Sequence, residues 1–318
     1  MYQLGLIGYP LGHSRSPAIH TAALRAAGLV GEYRLYPIPT LPEGAIALEE
    51  LISMLRIGEL TGINITIPHK QSVMPLLDEL SPTSEAIGAV NTILVREGRL
   101  LGENTDAQGF LADLRRLAPD MLPADQGMSA AASQEAARAF PLSALVLGAG
   151  GSARAVVYAL WKAGFQVIIA ARRLEEAQKI VRQYENLPAL APSTPVRRQL
   201  SAIPNDLSSL ARLITHSESF ITRPETRITF VVNTTPLGMH PAINASPWPE
   251  GLPFPAGAVV YDLVYNPNET LLVRQARQAG LCAFTALGML VEQAALSFEL
   301  WTGRPAPYEA MRQAAEQV

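Results

Sequence analysis

The chain has 318 residues, of which 48% are apolar, and its 25 basic and 28 acidic side chains give a formal net charge of −3. This length suits two domains with hydrophobic cores, and the balanced charge, without a run of lysine and arginine, argues against a nucleic-acid partner. No apolar run approaches the ~20 residues of a membrane span, and no signal peptide precedes the first predicted strand. We expect a soluble, cytoplasmic protein with no nucleic-acid or membrane partner.

The few cysteine and histidine residues limit which disulfides and metal sites the chain can form. Cys282 is the only cysteine, which excludes an intrachain disulfide and favours an intracellular protein. Its apolar neighbours predict a buried thiol. The five histidines show no metal-ligand spacing, so we predict no metal site and expect His13 and His69 to be structural or to lie at the rim of a site.

The first eighty residues alternate between apolar runs and amphipathic segments. Ser16-Pro17 is typical of a helix start, with serine as the N-cap and proline at the first helical position. The alternation predicts a parallel sheet with helices on its faces. The predicted strands cover 2–8, 33–38 and 62–67, and the predicted helices cover 16–28, 43–57 and 71–79.

Residues 88–104 follow a different pattern, typical of two short strands joined by a tight turn at Glu97-Gly98. A helix with an apolar stripe begins near Asp106 and carries the chain out of the first domain. The segments 119–141 and 187–227 are poorly patterned, and we expect surface connections there, the second with a short strand and a helix at 206–215.

The second half again alternates between strands and helices. Predicted strands cover 166–170, 228–233, 258–263 and 282–286, and predicted helices cover 152–163, 174–186, 269–279, a long segment from 288 and a last segment at 307–317.

Residues 144–154 carry the most informative motif, a glycine-rich turn between an apolar strand and a helix. Gly148 permits the tight turn, and Gly150 and Gly151 let a bound pyrophosphate approach the backbone. Ala153 is small enough for the helix to pack on the strand, and the helix N-terminus offers unpaired N–H groups to an anion. We therefore predict a Rossmann-type dinucleotide site formed by Gly148, Ala149, Gly150, Gly151, Ser152 and Ala153.

The residues after the next strand predict which dinucleotide binds. Arg172 and Arg173 follow Gly151 by about 20 residues, where a carboxylate would select NAD and an arginine would pair with the 2′-phosphate of NADP. No carboxylate occupies the position, and a guanidinium meets phosphate oxygens with two donors at once. The sequence favours NADP, although two solvated arginines at a strand end would give the same pattern.

Lys70 and Asp106 are the candidate catalytic residues. Hydride transfer to a carbonyl needs a proton donor or a cation at the developing alkoxide, and Lys70 follows a predicted strand at its carboxyl end. A carboxylate at Asp106 could orient it. The residues alone also allow a solvated lysine and an aspartate that only caps its helix.

Seven segments, in chain order, resemble the shikimate dehydrogenase family over nearly the whole chain. Four lie on the predicted substrate side and three on the predicted cofactor side. They are 14–17 (SRSP), 64–70 (NITIPHK), 88–92 (GAVNT), 102–109 (GENTDAQG), 148–151 (GAGG), 233–239 (NTTPLGM) and 288–294 (GMLVEQA).

The resemblance implies NADPH-dependent reversible reduction of 3-dehydroshikimate to shikimate, a step toward chorismate and the aromatic amino acids. It implies that Lys70 acts as general acid/base with Asp106 as partner, and that Ser14 and Ser16 bind the substrate carboxylate. The other implied substrate ligands are Asn64, Thr66, Asn91, Tyr265 and Gln293, and the other implied cofactor contacts are Thr234, Leu263 and Gly288.

The family pattern also implies the domain organisation. We expect two α/β domains, a mainly parallel substrate domain of 1–106 plus 288–318 and an NADP-binding domain of 107–287, with a cleft that closes around substrate. Monomer and homodimer both stay open. Two alternatives are a quinate/shikimate dehydrogenase that prefers NAD and, from another functional class, a non-catalytic NADP-binding sensor. The family's usual Asn-Arg-Thr is replaced here by Ala171-Arg172-Arg173, which keeps one phosphate-binding arginine.

Overall fold

A computed structural model describes residues 1–122, 142–185, 200–215 and 227–317. The chain divides into two compact units, Met1–Phe110 with Gly288–Val318, and Leu111–Leu287. The first change of unit falls inside a helix, four residues after the predicted boundary. Among the described residues, no helix has the length and apolar character needed to cross a membrane.

The first unit is built on a six-stranded sheet of described strands in the order β2-β1-β3-β5-β6-β4. Its strands are β1 (Tyr2–Gly8), β2 (Gly31–Pro37), β3 (Gly62–Ile65), β4 (Glu79–Leu80), β5 (Thr92–Arg96) and β6 (Arg99–Glu103). Its helices are α1 (Ser16–Ala26), α2 (Ala45–Arg56), α3 (Pro82–Ile87), α4 (Asp106–Leu117, which continues into the second unit), α9 (Leu287–Thr302) and α10 (Tyr308–Glu316).

The strand directions bring several chain segments to one edge of this sheet. β1 is parallel to β2 and β3, whereas β5 is antiparallel to both β3 and β6. Asn64 of β3 pairs with Thr92 at the start of β5, and Thr92 pairs with Glu103 at the end of β6. The ends of β1, β3 and β6 and the start of β5 therefore share an edge.

An apolar core fixes the sheet against its helices. The predicted face of α2, with Leu48, Leu51, Ile52 and Leu55, is buried and packs with Ile7, Ile63 and Ile93 of the sheet. Burial of such side chains stabilises the unit by about 1.5–3 kcal/mol each. The strands are therefore held rigidly enough to position the polar residues that follow them.

The second unit contains a second sheet of six described strands, all parallel, in the order β12-β11-β10-β7-β8-β9. The strand order reverses between β7 and β10, and ligands of such sheets bind at this point. The strands are β7 (Ser143–Leu147), β8 (Gln166–Ala171), β9 (Leu200–Pro204), β10 (Ile228–Asn233), β11 (Val259–Asp262) and β12 (Ala283–Thr285). The helices are α5 (Gly151–Lys162), α6 (Leu174–Glu185), α7 (Leu207–Thr215) and α8 (Leu271–Gln278).

The predicted α/β class is confirmed, and so are most predicted elements, with ends that differ by one to three residues. The helix expected at 71–79 is wrong, because only a short 3₁₀ turn at Met74–Leu76, which contains Pro75, forms there before β4. The expectations for 123–141, 186–199 and 216–226 lie outside the described residues.

Two local predictions are also wrong. Ser16 is the first residue of α1 rather than its N-cap, and its backbone N–H is 3.3 Å from the Ser14 hydroxyl that accepts it. Cys282 is exposed, because it lies in the loop between α8 and β12 and only the following residue, Ala283, enters the core.

Gly62 tests how tightly the first unit is packed. A Cβ at Gly62 would overlap the indole of Trp301, which is held in place by a 3.0 Å hydrogen bond to the carbonyl of Ile93. We expect Gly62→Ala to lower the free energy of unfolding by about 1–3 kcal/mol through overpacking. Gly12→Ala is the matched control, because a Cβ there meets no atom within 4 Å. Equal urea-unfolding midpoints for the two variants would contradict the prediction.

Candidate functional site

A cluster of polar side chains lies at the shared strand edge of the first unit. Lys70 follows β3, Asn91 precedes β5, and Asp106 begins α4 just after β6. The antiparallel turn between β5 and β6 returns the chain to this edge, and so residues 36 positions apart in sequence meet. The sheet topology thus assembles the group that the motifs predict.

The centre of the cluster is a buried ion pair. Lys70 Nζ donates to Asp106 Oδ2 at 2.6 Å, and the two side chains are 9% and 8% exposed. Breaking such a pair by removing one partner leaves an uncompensated buried charge, which is costly. The carboxylate therefore fixes the ammonium group at one position.

Asn91 holds the carboxylate from the other side. Its Nδ2 donates to Asp106 Oδ1 and to Thr105 Oγ1, both at 2.9 Å, and its Oδ1 accepts the Thr105 N–H at 2.8 Å. Asn104 Oδ1 accepts the N–H of Asp106 at 3.1 Å and so occupies the capping position that Asp106 could have taken. Both oxygens of Asp106 are thereby directed at the cluster.

The remaining predicted substrate ligands of the first unit lie on neighbouring segments. Ser14 is half-buried in the loop that follows β1, and Ser16 is buried as the first residue of α1. Between them, Arg15 is buried and donates to the carbonyl of Ala315 at 2.9 Å, a favourable place for a cation because it is the last turn of α10. Thr66 is half-buried after β3, and Gln293 is half-buried on α9, where its Nε2 donates to the Leu290 carbonyl.

Asn64 is already fully engaged within the protein. Its Oδ1 accepts the Tyr33 hydroxyl at 2.8 Å, and its Nδ2 lies 3.1–3.2 Å from three acceptors, which are the Asn91 carbonyl, Thr92 Oγ1 and Ser297 Oγ. Tyr33, Thr105 and Ser297 are not among the site residues predicted from the sequence. Thr105 stands inside a quoted motif and could have been found there, whereas Tyr33 and Ser297 carry no local signal.

The glycine-rich turn of the second unit follows β7 at the reversal of strand order. Gly148 has a φ of +112°, and a Cβ there would lie 2.6 Å from Thr234 Oγ1, so this position requires glycine. A Cβ at Gly150 would meet nothing within 4 Å, which leaves the space over the turn open. Gly151 begins α5 with no side-chain cap, so the first turn of this helix can bind an anion through its backbone.

The other residues predicted to contact the dinucleotide lie in this turn and after β8. Ala153 is fully buried against the sheet, and Ala149 and Ser152 are half-buried. Arg172 and Arg173 follow β8 and are exposed, with Glu176 in the first turn of α6 bound to Lys179 at 2.7 Å. The turn and the two exposed guanidinium groups fit a dinucleotide that carries an extra phosphate.

Asp262 ties together the loops that follow β10 and β11. Its carboxylate accepts from Asn233 Nδ2 at 2.7 Å, from the Thr270 hydroxyl at 2.6 Å and from the Val264 N–H at 3.0 Å. Burial raises the pKa of Asp262 to about 6, and the three hydrogen bonds act in the opposite direction. These loops contain Thr234, Leu263 and Tyr265, all half-buried.

Gly288, the remaining predicted cofactor contact, lies in the first turn of α9 and is half-buried.

Comparison with known sequences identifies two family matches in this chain. Residues 6–93 match the description "Shikimate dehydrogenase substrate binding domain", and residues 287–316 match "Shikimate 5'-dehydrogenase C-terminal domain". A curated relative, the shikimate dehydrogenase (NADP(+)) of Symbiobacterium thermophilum, is 39% identical over 98% of this chain and 92% of its own length.

Two solved structures are similar to this chain over its whole length. A shikimate 5-dehydrogenase from Thermus thermophilus, in complex with NADP(H) and shikimate, superposes with a TM-score of 0.73 at 34% identity, covering 100% of this chain and 99% of its own. A quinate dehydrogenase from Corynebacterium glutamicum, in complex with NAD, superposes with a TM-score of 0.77 at 30% identity, covering 100% and 99%.

Asp262 should make stability depend on pH. Its pKa is higher in the folded chain than the ordinary value of 3.8, so the folded state favours the protonated carboxyl and stability is lost as pH rises from about 4 through 6. We expect the free energy of unfolding of the wild type, relative to Asp262→Asn, to fall by about 2 kcal/mol between pH 4.5 and pH 7.

Urea unfolding of the full chain across this range measures the change. Asp206→Asn is the control, because hydrogen bonds from Ser209 and Ser208 lower the pKa of Asp206, so its contribution to stability changes only below about pH 4 and should stay nearly constant across this range. A wild-type advantage over Asp262→Asn that grows with pH would show that burial does not dominate at Asp262.

Proposed function

This chain belongs to the shikimate dehydrogenase family, and from that premise we propose that it catalyses the NADP-dependent, reversible reduction of 3-dehydroshikimate to shikimate. One observation supports this most strongly, the buried Lys70–Asp106 pair at the strand edge of the first unit. The relatives act on a ring that carries a carboxylate and hydroxyls, which suits the serine, threonine and amide side chains nearby. The reaction belongs to the route to chorismate and the aromatic amino acids.

The two residues of the ion pair have different roles. The Lys70 ammonium donates a proton to the substrate carbonyl oxygen as that oxygen becomes an alkoxide, and it takes the proton back in the reverse direction. Asp106 keeps Nζ at a fixed position and accepts a hydrogen bond from a ring hydroxyl. The bond from Asn91 to the second carboxylate oxygen of Asp106 keeps this geometry in the absence of substrate.

The other substrate ligands follow from their positions. Ser14, in the loop after β1, and Ser16, at the start of α1, bind the ring carboxylate, and the contact of Arg15 with α10 holds this segment in place. Thr66, Asn91 and Gln293 bind ring hydroxyls. Asn64 supports Asn91, because its Nδ2 donates to the backbone carbonyl of Asn91. The family resemblance also makes Tyr265 a substrate ligand.

NADPH, when bound, supplies the hydride. The turn from Gly148 to Ala153 would hold its pyrophosphate, Arg172 and Arg173 its 2′-phosphate, and Thr234, Leu263 and Gly288 its nicotinamide half. The open space over Gly150, the uncapped start of α5 and the absence of a carboxylate directly after β8 support this assignment. A cytoplasmic location stays a prediction, and monomer and homodimer both stay open.

The first test is the initial rate of nicotinamide reduction at 340 nm with shikimate or quinate, each with NADP or NAD. We expect the rate to be highest with shikimate and NADP. Higher rates with quinate and NAD would favour the alternative indicated by the likeness to the C. glutamicum enzyme, and folded protein without any activity would favour the NADP-binding sensor. In the same assay Lys70→Ala should reduce kcat by about 100- to 10,000-fold, because it removes the proton donor.

Binding of NADP by Lys70→Ala, followed by fluorescence titration, should match the wild type. A variant that keeps its turnover would show that another group transfers the proton.

Arg172 should determine the preference for NADP. We expect Arg172→Ala to weaken NADP binding by about tenfold or more, because a charge-assisted bond to the 2′-phosphate is lost, while NAD binding changes little. Arg182→Ala, an exposed arginine near the end of α6, is the control. Equal losses for the two cofactors in calorimetric titrations would remove the phosphate assignment.

A further inference from the structure

Tyr33 reaches the site across a neighbouring strand. It lies on β2, and its hydroxyl donates to Asn64 Oδ1 on β3, although β1 separates the two strands. Tyr33 pairs with Leu4 and Asn64 pairs with Leu6, so both side chains lie on the same face of the sheet. Tyr33 is 7% exposed, so its bond to Asn64 forms inside the protein and away from solvent.

The ring of Tyr33 is held by His20 of α1. The two rings stack with centroids 4.4 Å apart and an interplanar angle of 5°, and the ring of Trp301 lies 5.3 Å from that of His20 at a tilt of 50°. His20 is fully buried, and burial lowers its pKa to about 3, with the nearby Asn64 side chain acting in the opposite direction. His20 is therefore neutral near pH 7 and serves as a flat packing partner for the phenol rather than as an acid or base.

The phenol fixes the orientation of the Asn64 amide. A carboxamide has one acceptor and one donor end, and the bond from Tyr33 defines Oδ1 as the end that faces β2. Nδ2 is then directed at the backbone carbonyl of Asn91. The side chain of Asn91 donates in turn to Asp106, which accepts from Lys70.

We propose that the Tyr33 hydroxyl is a positioning group for the Lys70–Asp106 pair, acting through Asn64 and Asn91. The expected effect on catalysis rests on the proposed function. The hydrogen-bonded path from Tyr33 to Lys70 is independent of that function. Loss of the hydroxyl removes the donor to a buried carbonyl oxygen, and buried polar groups left without partners rearrange or destabilise their surroundings. The amide of Asn64 then rotates, and its hold on Asn91 and Asp106 loosens.

The test variant is Tyr33→Phe, which removes one oxygen and keeps the ring. Tyr36→Phe is the matched control, because Tyr36 lies on the same strand three positions on, directed at the opposite face, where its ring packs on Gly5. Both variants are made in the full chain, and their melting temperatures are measured.

Two readouts separate positioning from a purely structural role. The first is kcat and KM with shikimate and NADP, in which we expect Tyr33→Phe to lower kcat about fivefold, the equivalent of one buried hydrogen bond, with KM for NADP unchanged. The second is the NMR signal of Lys70 after reductive ¹³C-methylation. The chain has three lysines, Lys70, Lys162 and Lys179, so the Lys70 signal is assigned by its loss in Lys70→Arg.

We expect the Lys70 methyl resonance to shift or broaden in Tyr33→Phe and to stay in place in Tyr36→Phe. In an Asn64→Ala background, Tyr33→Phe should cause no further loss of kcat, because the path is already broken. A Tyr33→Phe variant with a lower melting temperature but wild-type kcat and an unmoved Lys70 signal overturns the proposal. If the wild type fails to oxidise shikimate, the proposed function fails, and the Lys70 signal alone still decides whether Tyr33 acts on Lys70.

Discussion

The first unit depends on keeping a charged pair out of water in one geometry. A buried ammonium and carboxylate are stable only when their remaining donors and acceptors are also satisfied. Here Asp106 uses one oxygen for Lys70 and the other for Asn91, while Asn104 and Thr105 fix the start of α4 that carries it. Each polar partner added to satisfy the pair brings its own requirements, which extends the network to Asn64, Thr92 and Ser297. The result is an ammonium group held at one position by the protein itself.

The topology of the sheet makes that network possible. A purely parallel sheet would bring only strand ends to this edge, each followed by a loop and a helix. Reversing β5 places the start of a strand between two strand ends, so that Asn91 stands within hydrogen-bond reach of both Asn64 and Asp106. The antiparallel direction of β5 therefore has a structural consequence, because it places Asn91 where it joins Asn64 to Asp106.

The second unit has a different feature, a glycine-rich turn whose backbone is suited to binding a large anion. Gly148 tolerates its positive φ and the approach of Thr234, and the uncapped start of α5 offers backbone donors to phosphate. The loops after β10 and β11 are held from beneath by Asp262, whose carboxylate accepts three hydrogen bonds and still titrates near pH 6 because it is buried. One buried acid thus organises two loops that carry predicted ligands.

The sequence by itself determined the α/β class, most of the elements and the motifs that identify the family, because apolar periodicity, glycine positions and short polar segments are local properties. The helix predicted at 71–79 was wrong, because Pro75 and the pairing of Glu79 with β6 favour a short turn and a strand. The predicted burial of Cys282 was also wrong, because two apolar neighbours in sequence do not ensure that a side chain enters the core. Only the tertiary structure decided that Asn104 rather than Asp106 caps α4 and that Tyr33 and Ser297 reach Asn64. Those contacts join residues between 31 and 233 positions apart, or choose between neighbouring polar side chains, and no local pattern records which side chain an amide will meet once strands have paired.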